Sequence, residues 1–297
     1  MAEIIQRDGT WAFDGTTVRI TPGLHRSVPL FRQTYGEIAV PLEAVASIAF
    51  EPERKRGRLR MRLREGADPL LQATGGRLPD MADPYRLTVD IDGSGVAEYV
   101  AEEIRRALLL DQVPKEPTKT YLLPGPAVPV SVRSSDGTVS FDGTQVRIDW
   151  SDTSDRVKRA TGPRIISVGD LVQVEWLPNS GYEDGFLRFM TRETVFAELP
   201  PEKDPYALDL WGSARRDLLT ALVATAVTAR LPHPSTRPGV DQADHADRAR
   251  LTASVPCPAD HHDVLLRRLR ELGELHRDGV LTDEEFAMTK AVVLRGF

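Results

Sequence analysis

The sequence contains a single cysteine, Cys257, so no disulfide can form within the chain and a disulfide-stapled scaffold is excluded. Long apolar runs are missing too. The longest helix-compatible one, LLTALVATAVTARL (218–231), is interrupted by Thr and Arg and is too short to cross a bilayer. The opening MAEIIQRDGT lacks a basic stretch followed by an apolar core, so no secretory signal is expected there. A large excess of either charge sign is missing: 38 Lys and Arg against 44 Asp and Glu leave a net charge of -6, which favours solubility and disfavours general nucleic-acid binding, where a basic excess replaces counterions. Also absent are a Walker glycine loop, a G-x-S-x-G elbow and an H-E-x-x-H helix. The expectation is a cytoplasmic protein that is not an enzyme, with no catalytic residue, cofactor or metal.

What the sequence does have is a repeat. Residues 8–20 read DGTWAFDGTTVRI and residues 136–148 read DGTVSFDGTQVRI, identical at ten of thirteen positions with an offset of 128. The correspondence continues with small drifts. Ile48, Phe50 and Pro52 align with Val174, Trp176 and Pro178, the run from Gly57 to Arg60 with that from Gly185 to Arg188, and Asp83-Pro84-Tyr85 with Asp204-Pro205-Tyr206. Offsets that change only between patterned segments are what loop insertions produce. The chain therefore holds two copies of a domain of about a hundred residues, a normal size for one hydrophobic core.

Each copy reads alike. FDGT lies between alternating apolar residues (Trp11 and Phe13 then Val18 and Ile20; Val139 and Phe141 then Val146 and Ile148), a strong signal for a tight hairpin. A strand such as Val172–Trp176 follows, then a Gly-led strand (57–64 and 185–191). A DPY turn feeds another strand (Arg86–Ile91 and Ala207–Trp211). A closing helix ends each copy: Ala97, Val100, Ala101, Ile104, Ala107 and Leu108 fall at helical spacing in the first, Leu219, Leu222, Val223 and Ala226 in the second. Ser94 and Ser213 are candidate N-caps. Antiparallel strands finished by one amphipathic helix make an α+β plan. Trp11, Phe13, Trp176, Phe186 and Phe189 are expected in the core.

This order, with the acidic steps in LEAVASIAFEP and GDLVQVEWLP, resembles bacterial pleckstrin-homology-like domains, and the tandem is similar to an actinobacterial family of unknown function. The resemblance implies two antiparallel β-barrels or sandwiches, each closed by a C-terminal helix. The resulting boundaries are 1–111 for the first copy, 112–129 for a Pro-rich connection and 130–231 for the second. Residues 232–262, rich in Pro, Asp, Ala and Arg, follow as a flexible linker.

Residues 263–297 carry a pattern of their own. Leu265, Leu269 and Leu272 form a stripe, Asp278-Gly279 breaks the helix, and Thr282 with Glu285 forms a capping box for a second helix presenting Phe286, Val293 and Leu294. The stretch LRELGELHRDGVLTDEEFAMTKAVVL resembles the short C-terminal domain called SHOCT. A helical hairpin this small needs another surface for its apolar stripe. The resemblance implies self-association or docking to another protein through Leu265, Leu269, Leu272, Leu281, Phe286, Val293 and Leu294, and with it a homo-oligomer.

Among candidate sites, RKRGRLRMRLR (54–64) is the sharpest. Arg58, Arg60, Arg62 and Arg64 alternate with Leu59, Met61 and Leu63, so on a strand the guanidiniums form one face, extended by Arg54, Lys55 and Arg56. Such a face suits an anionic partner such as a phospholipid headgroup, or is simply a solvated strand face or a protected sheet edge. The second copy reads GFLRFMT there, so the fold does not require the arginines. Cys257, His261 and His262 lack the further ligands of a zinc site, and DIDGSG (90–95) lacks the acidic positions of a calcium loop and reads as a turn entering a helix. The sequence thus points to an adaptor whose paired domains bind partners, with peripheral binding to anionic membrane lipid through Arg58–Arg64 as the alternative.

Overall fold

In a computed structural model, which describes residues 1–181, 183–194 and 199–236, the two repeats lay out seven strands each in the same order. The first comprises β1 (Ala2–Gln6), β2 (Gly9–Phe13), β3 (Thr17–Pro22), α1 (Leu30–Tyr35), β4 (Ile38–Pro41), β5 (Val45–Glu51), β6 (Arg56–Leu63), α2 (Pro69–Thr74), β7 (Arg86–Asp90) and α3 (Ser94–Leu110). The second comprises β8 (Val130–Arg133), β9 (Gly137–Phe141), β10 (Gln145–Trp150), α4 (Arg156–Thr161), β11 (Arg164–Ser167), β12 (Leu171–Leu177), β13 (Gly185–Thr191), β14 (Ala207–Leu210), α5 (Ala214–Asp217) and α6 (Thr220–Thr228). Each repeat is thus a four-stranded and a three-stranded antiparallel sheet covered by a helix, α3 on β1 and β5, α6 on β8 and β12.

The quoted hairpin is present in both repeats with the same register. Phe13 faces Val18 and Trp11 faces Ile20; Phe141 faces Val146 and Val139 faces Ile148. The second Asp-Gly-Thr of each repeat makes the turn. Asp14 Oδ1 accepts from the Thr16 and Thr17 amides and the Thr16 hydroxyl, and Asp142 Oδ1 does the same for Thr144 and Gln145. Gly15 and Gly143 take φ of 110° and 108°, a conformation that a side chain opposes. The first triplet has another reason for its glycine. A Cβ on Gly9 or Gly137 would lie 2.8 Å from the Thr21 carbonyl or 2.4 Å from that of Asp149, so glycine there permits close strand approach.

Neither repeat closes into a barrel among the described residues; this corrects the barrel form of the expectation. A single 3-10 turn, Leu42–Ala44 or Val168–Asp170, carries the chain out of the first sheet before the second begins. Side chains bridge the gap at the other side. The Thr88 and Asp90 amides of β7 donate to Asp8 Oδ2 and Gln6 Oε1, and the Asp209 amide of β14 donates to Asp136 Oδ2. Acceptors from the β1–β2 and β8–β9 hairpins thus satisfy backbone donors that a closed barrel would pair with a strand.

Core residues follow the alternation. Trp11, Phe13, Trp176 and Phe189 are buried as expected, but Phe186 is only half-buried. Residues three apart on a strand lie on opposite faces, so Phe186 cannot share the inward face of Gly185, Leu187 and Phe189. One helix start also differs from expectation. Ser94 lies inside α3, whose N-cap is Gly93, whereas Ser213 is the N-cap of α5 as expected, though its side chain makes no capping bond.

Both repeats belong to one compact unit spanning Met1–Arg237. Helix α2, an insertion between β6 and β7, packs on α6 and β12 of the second repeat. Asp68 caps it by accepting from the Leu70 amide at 2.9 Å, Pro69 opens it and Gly75 ends it at a left-handed φ of 56°. The Pro-rich connection lies along the first repeat: the Thr118 amide donates to the Glu65 carbonyl, and those of Leu122 and Leu123 to Ala67. Residues 232–236, read from sequence as the start of the linker, join this body. His233 Nε2 is 3.0 Å from the Gly66 carbonyl, its ring meets Tyr121 edge-on, and the Ser235 hydroxyl donates to the Lys119 carbonyl.

Candidate functional site

The structure places the arginine run on β6, with Leu59 and Met61 buried beneath it and Arg58 and Arg62 exposed. Its cations are not equivalent. Arg56 pairs with Asp90 at 3.2 Å and Arg58 with Glu53 at 2.8 Å. Arg64 is turned to the main chain: its guanidinium donates to the carbonyls of Glu43 and Glu116, at 2.9 Å and at 2.8 and 3.0 Å, fastening the inter-repeat connection. Arg54, Lys55, Arg60 and Arg62 have no ion-pair partner among the described residues. The face available to an anion is therefore shorter than the alternation implied. In the second repeat the corresponding face of β13 presents Phe186, Arg188 and Met190, with Arg188 paired to Asp204 at 2.9 Å.

A second set of charges lies inside the repeats. The first Asp of each repeated motif sits beside a buried cation from the following short helix. Lys158 of α4 is fully buried with its Nζ 2.5 Å from Asp136 Oδ2 and 5.1 Å above the Trp150 ring. Arg32 of α1 is also buried, 3.6 Å from Asp8 Oδ2, with its Nε and one terminal nitrogen lacking a hydrogen-bond partner among the described residues. Burial lowers the Arg32 pKa, while Asp8 and Asp83 oppose the shift. Nearby in the first repeat, Asp68 accepts from the Tyr85 hydroxyl at 2.8 Å. Desolvation pushes the Asp68 pKa up to about 6 against the lowering effect of its hydrogen bonds, and raises Tyr85 and Tyr35 well above the usual phenol range. These groups tie α1, α2, β7 and the first hairpin together. The repeated Asp8 and Asp136 are visible in the sequence, but nothing in the alternation announces their partners, which come from segments that sequence reasoning left as loops.

Loops of both repeats also form an open groove of about 350 Å³. Residues 26–31, between β3 and β4, and Pro79 and Met81, between α2 and β7, line it from the first repeat; Asn179, Ala214, Arg215 and Leu218 line it from the second. Val28 and Phe31 are buried, while Met81 is 71% exposed. Arg26 and Arg215 are exposed and have no ion-pair partner among the described residues. Sequence reasoning missed this site because its residues are far apart in the chain and show no periodicity.

Leu265, Leu269, Leu272, Leu281, Phe286, Val293 and Leu294 lie outside the described residues, as do Cys257, His261 and His262. Among the described residues, no group of three or more His, Cys, Asp or Glu is placed to hold a metal ion. No described helix is long and apolar enough to cross a membrane. DIDGSG forms a short 3-10 turn into α3, as its sequence suggested.

A family model described as a domain of unknown function, DUF4429, matches residues 11–105 and again residues 139–228, more than half of the chain in total. No curated protein matches the chain.

Proposed function

The chain belongs to the DUF4429 family through both of its repeats, and from that premise we propose that it is a non-enzymatic cytoplasmic adaptor. Its repeats act as pleckstrin-homology-like binding domains, and its C-terminal segment 263–297 acts as a SHOCT-like hairpin for self-association or docking. The strand plan supports the first assignment: four strands, then three, then a covering helix, in each repeat. The observation that carries the adaptor reading is the joining of the repeats. Helix α6 is buried along its whole length and packs on the sheets of its own repeat and on α2 of the other. The two domains therefore present their surfaces in a fixed relation, as suits a platform holding partners together. Self-association of such platforms raises avidity without a tight single site. Deleting residues 263–297 is expected to lower the solution mass measured by light scattering. An unchanged mass overturns self-association and leaves docking to a different protein.

A second reading rests on β6. Among the described residues Arg60 and Arg62 have no ion-pair partner, Arg54 and Lys55 lie in the adjoining turn, and together they suit anionic lipid headgroups. Binding to acidic liposomes at low salt, lost at high salt and in an Arg60→Ser/Arg62→Ser variant, is the expected result for that reading. Protein remaining in the supernatant at low salt removes it.

A further inference from the structure

We infer that the groove between the repeats binds a peptide segment carrying an acidic residue close to a large apolar one. This inference rests on the adaptor reading and names a partner class for one surface of the platform.

The groove has two chemistries side by side. Its apolar lining comes from Leu30, Phe31 and Met81 of the first repeat and Leu218 of the second. Met81, well exposed on its loop, is an unbranched, polarizable side chain that adapts to different apolar partners. A volume of about 350 Å³ lies at the lower end of ligand sites, which suits an anchor residue with its neighbouring backbone better than a bulky cofactor. The charges come from Arg26 and Arg215, one from each repeat, both exposed and without an ion-pair partner among the described residues. Unpaired guanidiniums flanking an apolar surface match a carboxylate next to an apolar side chain, because the planar donor fork binds carboxylate oxygens in pairs. On a molecule of net charge -6, this local positive pair discriminates among acidic partners rather than attracting them generally.

Only the joined repeats make this site. Arg26 precedes α1, Met81 follows α2, and Arg215 lies in α5. The packing of α2 on α6 brings the two walls together, so the groove is formed before any partner arrives and little ordering is required on binding.

The test uses the full chain and fluorescence anisotropy with a labelled peptide in which Glu and Asp alternate with Leu and Phe. The same peptide with Gln and Asn in place of the acids, and an oligonucleotide of matched charge, serve as comparisons. Binding of the acidic peptide is expected, with at least about tenfold weakening in Arg26→Glu/Arg215→Glu, as loss of two charge-assisted contacts implies, and similar weakening in Met81→Asp. Circular dichroism melts of these surface variants should match the parent. Equal binding of the amide peptide, equal binding of the oligonucleotide, unchanged affinity in the Arg26→Glu/Arg215→Glu variant, or no binding of the acidic peptide overturns the inference. If instead Arg60→Ser/Arg62→Ser alone abolishes binding, the groove is wrong and the site lies on β6. The adaptor reading is judged separately, by the mass change on removing residues 263–297.

Discussion

The two repeats share one framework but treat their buried polar groups differently. In the second, Asp136 and Lys158 form a close pair at 2.5 Å, Trp150 covers the ammonium, and the Trp176 indole donates to the Thr220 hydroxyl at 3.0 Å. In the first, Asp8 and Arg32 stand 3.6 Å apart, and two Arg32 nitrogens and the Trp11 indole lack hydrogen-bond partners among the described residues. Their helices diverge as well. α3 keeps a wet face with Tyr99 and Leu109 exposed, whereas every residue of α6 is buried, with the hydroxyls of Thr220 and Thr225 donating to the carbonyls of Asp217 and Ala221. Duplication conserves the bridge from hairpin to short helix. What differs is the environment: α6 packs on α2 of the other repeat as well as on its own sheets, whereas the main packing of α3 is on the strands of its own repeat.

The largest expected effect compares the two bridges. Asp136→Ala leaves Lys158 buried without its counter-charge and should cost about 3–5 kcal/mol, read by urea denaturation. Asp8→Ala removes a longer pair, whose cation is buried but whose carboxylate is partly exposed, and should cost less, about 1–2 kcal/mol. Equal losses would mean that the distances do not reflect the strengths of the bridges.

The next effect bears on the joint between the repeats. Gly125 has φ 72°, and a Cβ there would lie 3.0 Å from the Ala229 Cβ and 3.4 Å from Pro69 of α2. Gly125→Val should cost about 3 kcal/mol through backbone strain and crowding. It should also split the thermal unfolding curve as the repeats come apart; a single sharp transition at the parent temperature would show that this junction does not hold them.

The smallest effect concerns pH. Burial raises Asp68 in the first repeat and Asp209 in the second to about 6. A carboxyl raised in the folded state binds its proton more tightly there than in the unfolded chain. Stability therefore rises as pH falls from about 7 towards 4, and is lost as pH rises through about 6. Asp68→Asn should remove about 2 kcal/mol of this dependence, leaving a shallower slope of the same sign from Asp209. An unaltered slope would place the titration elsewhere.

Much of the framework was legible in the sequence. The repeat, the hairpin at FDGT, the buried phase of Leu59 and Met61 and the inward face of α3 all follow from local alternation and helical spacing. The edge strands β1 and β8 and the short helices α1, α2 and α4 did not, because short segments leave too few residues to establish a period, whereas the outward position of Phe186 follows from the alternation that buries Phe189. The candidate sites divide along the same line. The arginine run of 54–64 was visible as a pattern, but its partial neutralisation by Glu53, Asp90 and two backbone carbonyls was not. The groove of Arg26, Met81 and Arg215 had no local signature.

By itself the sequence determined the duplicated α+β framework, since periodicity and turn chemistry are short-range constraints that each repeat satisfies within its own residues. Tertiary structure alone decided that the repeats form one body, which cations are free and where a groove opens. Those outcomes depend on contacts between residues such as Gly66 and His233, or Arg64 and Glu116, whose meeting depends on how whole elements pack rather than on spacing along the chain.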